Sequence, residues 1–168
     1  MGLNTSLRTF FAQGTALFMA GGLLAALGYR RFDDRATFTS KHGLCHDFES
    51  LIWVIIYAMM TRHRNALAAT DQAMYKEYKE IFEDCWAVHS YGHVHRSHSD
   101  MLVAGCSLDT QETVNQWFPD TCEAAFFRDA MRLLRIQVLD GELIEYQSLC
   151  TLFKKHIQLA NDSHAAPN

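Results

Sequence analysis

Apolar and polar positions along the chain recur at helical spacings, and no segment shows the strict alternation of a half-buried strand. The most uniform run is Leu51-Ile52-Trp53-Val54-Ile55-Ile56-Tyr57-Ala58-Met59-Met60, entered through the more polar His46-Asp47-Phe48-Glu49-Ser50. A helix without a polar face must be buried all round. Ten apolar residues are too few for a bilayer core, which needs about 20. The run therefore predicts the central helix of a helical domain, opening at Asp47. It should close at Arg62-His63-Arg64, where cations suit the negative end of the helix dipole.

Downstream, Thr70 and Asp71 offer a capped start to a helix with Met74, Tyr78, Ile81, Phe82 and Cys85 on one face, widened by Trp86. Residues 91–105 have no clear period and predict a loop with short helical turns. Residues 109–117 suit a short helix stopped near Pro119. Asp120-Thr121-Cys122-Glu123 resembles a capping box, behind which Cys122, Phe126, Ala130, Leu133 and Leu134 line one face. Asp140-Gly141 marks a turn, followed by a last helix with Tyr146, Leu149, Cys150, Phe153 and Ile157 on its apolar side. Residues 161–168 read as a frayed polar tail. The fold class expected is all-α: one domain over residues 1–160, with five or so helices around the one that opens at Asp47.

Before that helix, the only polar side chains in residues 10–29 are Gln13, Thr15 and the Tyr29 hydroxyl, flanked by Arg8, Arg30 and Arg31. The stretch is long enough to span a membrane. Gly14, Gly21, Gly22 and Gly28, with several alanines, lower both its hydrophobicity and its helix propensity. A membrane anchor at 10–29 is therefore the alternative reading and not the expected one. Residues 31–43 are polar, without a sustained period, and predict a loop.

Composition narrows the class. With 49% hydrophobic and 20% charged residues over 168 positions, the chain can bury a substantial core and does not belong with disordered sequences. A net charge of −4 offers no general basic footprint, so no nucleic-acid partner is expected. The five cysteines, Cys45, Cys85, Cys106, Cys122 and Cys150, are widely spaced and form no C-x-x-C pair. That pattern suggests neither a disulfide framework nor a cysteine zinc module, and it fits an intracellular, reducing compartment, cytoplasmic or nuclear.

Two other constellations invite chemistry. His89, His93, His95 and His98, with Asp100 close by, suggest a metal site, since neutral imidazoles are good zinc ligands. Gly92 should interrupt a helix there and no H-E-x-x-H glutamate is present, so no metal is expected. Cysteines and histidines are numerous enough to pair by chance, yet no nucleophile elbow occurs.

Gly14-Thr15-Ala16-Leu17-Phe18-Met19-Ala20-Gly21-Gly22-Leu23-Leu24 and the His46-Asp47-Phe48-Glu49-Ser50-Leu51 entry stand in that order. Together they resemble two motifs of the fungal-type protein kinases. The first is similar to the end of the activation segment, Gly-Thr-x-x-Phe-Met-Ala-x-Glu-x-Leu. The second is similar to the Asp-Leu-Glu-Ser-Leu/Phe signature that opens the buried helix of the kinase C-terminal lobe. The resemblance covers about the first third of the chain. It implies that Gly14, Thr15, Phe18, Met19, Ala20 and Gly22 belong to a segment docking a substrate peptide, with the Thr15 hydroxyl near the catalytic groups. It also implies that His46, Asp47, Glu49 and Ser50 anchor the C-lobe, Asp47 accepting backbone hydrogen bonds from the catalytic loop. From the residues alone, Thr15 can equally be a turn threonine and Asp47 a helix cap.

Two departures shape the expectation. Gly22 replaces the glutamate that closes the first motif and pairs with an arginine in the family. Phosphoryl transfer also needs a loop over the ATP phosphates, a phosphate-binding lysine, a base aspartate and a metal-binding aspartate. No G-x-G-x-x-G, V-A-I-K, H-R-D or D-F-G run occurs in the chain. The resemblance thus implies the C-lobe portion of a Ser/Thr kinase domain, without N-lobe or catalytic loop and inactive as this chain. It holds no cofactor, ATP and Mg being implied only for a complete family member, and a protein is its one expected partner.

Overall fold

A computed structural model describes residues 44–86, 91–107, 109–140 and 144–165. They form six helices: α1 (Leu44–Thr70), α2 (Gln72–Trp86), α3 (Tyr91–Cys106), α4 (Gln111–Trp117), α5 (Thr121–Asp140) and α6 (Tyr146–Ala165). Among the described residues there is no strand, and the all-α class holds. A continuous apolar cluster draws on every helix, from Ile52 and Trp53 of α1 to Leu149 and Leu152 of α6. Residues 10–29, the segment from Gly14 to Gly22 with Thr15, Phe18, Met19 and Ala20, the loop 31–43, His89 and Gly141 all lie outside the described residues.

The caps fall where the side chains predict. Asp71 Oδ1 accepts from the amides of Ala73 and Met74, both at 3.0 Å, and so satisfies two orphan donors at the start of α2. Asp120 Oδ1 does the same for Cys122 and Glu123 at 2.8 and 3.1 Å, opening α5. Behind the first cap, Tyr78, Phe82 and Trp86 are buried at spacings of four, while Met74 stands in solvent, one turn short of the covered face.

Helix α1 differs from its expectation at both ends. It begins at Leu44, so Asp47 lies inside the first turn instead of at the cap. It also runs through Arg62-His63-Arg64 to Thr70, carried by the helix-forming stretch Ala66-Leu67-Ala68-Ala69. The cations find partners on neighbouring helices: Arg62 reaches Glu123 of α5, and the Arg64 guanidinium lies 4.3 Å from the Phe82 ring centre. Nor is α1 buried all round. Ile52, Trp53, Ile56 and Met60 are fully covered, whereas Leu51 and Val54 remain 42% and 41% exposed. Its neighbours α2 and α5 cover one face of a helix that is apolar on several.

The most extensive helix pair is α3 with α5. The expected loop at 91–105 is therefore a helix, and Gly92 sits in its first turn without breaking it. The helical period is present but masked, because the buried face consists of Val94, Ser97, His98, Met101, Leu102 and Ala104, two of them polar. Gly105 marks the close approach of the two helices. A methyl carbon there would lie 2.3 and 2.5 Å from Met131 Cγ and Cβ. Where α3 ends, Arg128 Nη1 donates to the Ser107 carbonyl at 3.3 Å, placing a cation at the negative end of the dipole.

Helix α6 continues to Ala165, into the tail expected to fray from residue 161. Of its expected face Leu149 is buried and Phe153 packs against the core, joined by Leu152 and His156, whereas Tyr146 and Ile157 are exposed.

Candidate functional site

The sequence-predicted anchor residues open α1. His46 and Ser50 are half-buried there and Asp47 is exposed, while Glu49 is only 2% exposed. Acidic side chains in a first turn face the positive end of the dipole, which favours Asp47 where it stands. One turn on, Trp53 Nε1 donates to Glu49 Oε1 at 3.3 Å, an i,i+4 pair that gives the buried carboxylate a donor.

That tryptophan leads to a residue of the histidine tract. The ring of His98 lies 3.9 Å from the Trp53 ring at an interplanar angle of 12°, and Trp86 meets it edge-on at 6.1 Å. Trp86 in turn points its Nε1 at Met60 Sδ, 3.2 Å away. Glu49, Trp53, His98 and Trp86 thus form a buried polar and aromatic seam between α1, α2 and α3. Sequence reasoning set His98 in a candidate metal cluster; the fold turns it inward against indoles. Its signal was the spacing Val94, His98, Met101, Gly105 on one helical face. His93 and His95 are half-buried on the same helix. Among the described residues no three His, Cys, Asp or Glu side chains are grouped to hold a metal ion.

A second cluster joins α1, α2, α4 and α5. Arg62 Nη2 donates to Glu123 Oε1 at 2.5 Å, His63 meets Tyr78 edge-on at 4.6 Å, and the Tyr78 hydroxyl donates to the Trp117 carbonyl at 2.7 Å. Burial pushes the Tyr78 phenol up and keeps it a donor, and burial next to Arg62 lowers His63. Burial also raises Glu123, an effect that Arg62 opposes. Engaged with Arg62, Glu123 supplies a tie between helices in place of the reciprocal bond of a capping box.

A third cluster ties α6 to α5. Asp129 Oδ2 lies 2.7 Å from Lys155 Nζ and 2.9 Å from His156 Nε2, and Arg132 approaches Oδ1 at 3.2 Å. Burial alone would raise the Asp129 carboxyl, but the hydrogen bonds and charges of Lys155 and His156 hold it below the usual carboxylate range. Nothing in the sequence pattern joined Asp129 to residues 26 and 27 positions away.

The chemistry these clusters support is structural. His156 pairs with a carboxylate, His98 stacks on an indole and His63 leans on a phenol. Burial drives the Cys85 thiol to about 12, with Asp84 and Asp100 adding to the shift, which keeps it protonated and inert at neutral pH. Among the described residues no helix is long and apolar enough to cross a membrane. No family model, no curated protein and no solved structure matches the chain.

Proposed function

We propose that the chain is the C-terminal helical portion of a fungal-type Ser/Thr protein kinase domain, acting through a protein partner and not by transferring phosphate itself. The observation that carries this reading is the acidic entry His46-Asp47 leading into α1, whose Ile52, Trp53, Ile56 and Met60 are wholly buried in an all-helical unit. The Gly14-to-Leu24 motif, in family order upstream of it, supports the same reading. In this role Thr15, Phe18, Met19 and Ala20 belong to the segment that meets a peptide, and Asp47 steadies a catalytic loop supplied by sequence outside these 168 residues. ATP and Mg would bind only where that loop and a phosphate-binding lysine are present.

The transcript upstream of Met1 tests this. An in-frame H-R-D followed by D-F-G is the expected result; absence of both makes the chain a relic of such a domain, and an upstream frame encoding an unrelated domain overturns kinase ancestry. A second reading, a helical interaction module without that ancestry, is favoured by the exposure of Leu51 and Val54, since a central helix apolar on every side should be buried all round. The remaining alternative, a membrane anchor at residues 10–29, predicts retention in the pellet after carbonate extraction, whereas both other readings predict release.

A further inference from the structure

Helix α1 presents an outward stripe opposite its buried face. Asp47, Leu51, Val54, Ala58 and Arg62 follow one another at spacings of four, three, four and four, and all five are exposed. The inward counterpart is Ile52, Trp53, Ile56 and Met60, wholly covered by the core. Leu51 and Val54 form the apolar centre of the outward stripe, widened by half-buried Ile55.

The two ends of this stripe carry opposite charges. Asp47 stands in the first turn, and Arg62 lies fifteen residues on, about 22 Å at 1.5 Å per residue. Arg62 gives Nη2 to Glu123, yet its side chain is 72% exposed, so the guanidinium keeps donors toward solvent. A carboxylate such as Asp47 accepts several bonds at once. The midpoint between the two charges falls between Val54 and Ile55. A two-fold axis at that point sets Asp47 against the partner's Arg62 at both ends, Leu51 against the partner's Ala58, and Val54 against the partner's Ile55. The stripe is thus self-complementary when run antiparallel, as an isologous contact requires. The chain's own apolar segment is a poorer occupant: residues 10–29 hold no charged side chain and offer nothing to Asp47 or Arg62.

We propose that the outward stripe of α1 is a self-association face, pairing antiparallel with α1 of a second copy of this chain. A strip about 22 Å long on a helix about 10 Å across covers far less than the ~800 Å² per partner of a standard interface. The dimer is accordingly weak and exchanges with monomer. The inference rests on α1 alone and is separate from kinase ancestry; a catalytic loop bound at Asp47 would compete with it.

Sedimentation equilibrium of the full chain over a concentration series tests it. The native protein should shift from monomer toward dimer as concentration rises. Asp47→Arg and Arg62→Asp each set like charges together at both ends, and each alone should weaken self-association about tenfold or more. Mixed in equal amounts, the two variants again meet with opposite charges at both ends, so dimer should return. Loss of the Arg62 tie to Glu123 cannot produce that recovery. Val54→Glu, near the axis and in solvent, should abolish the dimer and leave the urea midpoint unchanged. A dimer that survives Val54→Glu, or single variants that fail to recombine, overturns the proposal. So does a protein that is monomeric at every concentration; a urea midpoint lowered by Val54→Glu in that monomer would assign the stripe to residues 10–29 of the same chain.

Discussion

Replacing Gly105 with alanine should weaken the protein at its largest helix interface. The added methyl would lie 2.3 Å from Met131 Cγ, 2.5 Å from Met131 Cβ and 3.0 Å from Phe127 Cε1. Carbon atoms in contact prefer about 3.5–4.0 Å, so the overlap exceeds an ångström. A rotamer change moves Met131 Cγ but not Cβ, which is fixed to the α5 backbone, and both Met131 and Phe127 are fully buried with no space to yield into. Relief requires α3 and α5 to part, loosening Met101, Leu102 and Leu134 beside them. Overpacking of this kind costs about 1–3 kcal/mol, and a clash with a backbone-fixed carbon belongs at the upper end. Alanine's better helix propensity returns about 1 kcal/mol. The net loss should be about 2 kcal/mol, or about 4–8 °C in Tm for a chain of this size. Urea denaturation followed by far-UV circular dichroism measures it. Truncating Met131 to alanine in the same chain removes Cγ but leaves Cβ, so the double variant should be less destabilised than the sum of the two singles. A Gly105→Ala protein as stable as the native one, or strict additivity with Met131→Ala, would refute the close crossing.

Further outcomes follow from single contacts. Asp71→Ala removes the acceptor for two amides at the start of α2 and should cost about 1 kcal/mol, read as a lower urea midpoint with unchanged slope; no change would mean the cap contributes nothing. Tyr78→Phe deletes the bond to the Trp117 carbonyl and should cost about 1–2 kcal/mol in the same assay. The Asp129 carboxyl is held below its unfolded value, so its contribution to stability is complete above that value, about 4, and disappears as pH falls through the lower native one. The stability gap between the native protein and Asp129→Asn should therefore be widest near neutrality and close in acid; a constant gap across the acid range would count against the pairing. Cys85, half-buried with its thiol pushed up to about 12, should react more slowly with a water-soluble thiol reagent in the native state than after unfolding, and equal rates would contradict that shift.

Much of the fold was legible locally because caps and single-stripe helices are written in neighbouring residues. Asp71 and Asp120 both cap as their positions predict, and α2 and α5 follow their apolar spacing. Helix α3 was not legible as a helix, because its inward face spends positions on Ser97, His98 and Gly105, and these count against an apolar period. The candidate site was legible only in part. Asp47 and Glu49 do open a helix, yet the partnership of Glu49 and Trp53 with a stacked His98 joins residues 45 positions apart, which no local pattern records.

By itself the sequence determined the helical class, two helix starts and the stripes available for burial, since each depends on backbone propensity, short-range hydrogen bonds and a period of 3.6 residues. The tertiary structure decided which of the available stripes went inward. A helix apolar on several sides, as α1 is, has no internal reason to prefer one face. The choice falls to whatever packs against it, α2 and α5 in the case of α1. Arg62 and Arg64 follow the same rule. Read locally they end a helix; in the fold they bind Glu123 and Phe82, because a partner on a neighbouring helix is closer than the end of their own.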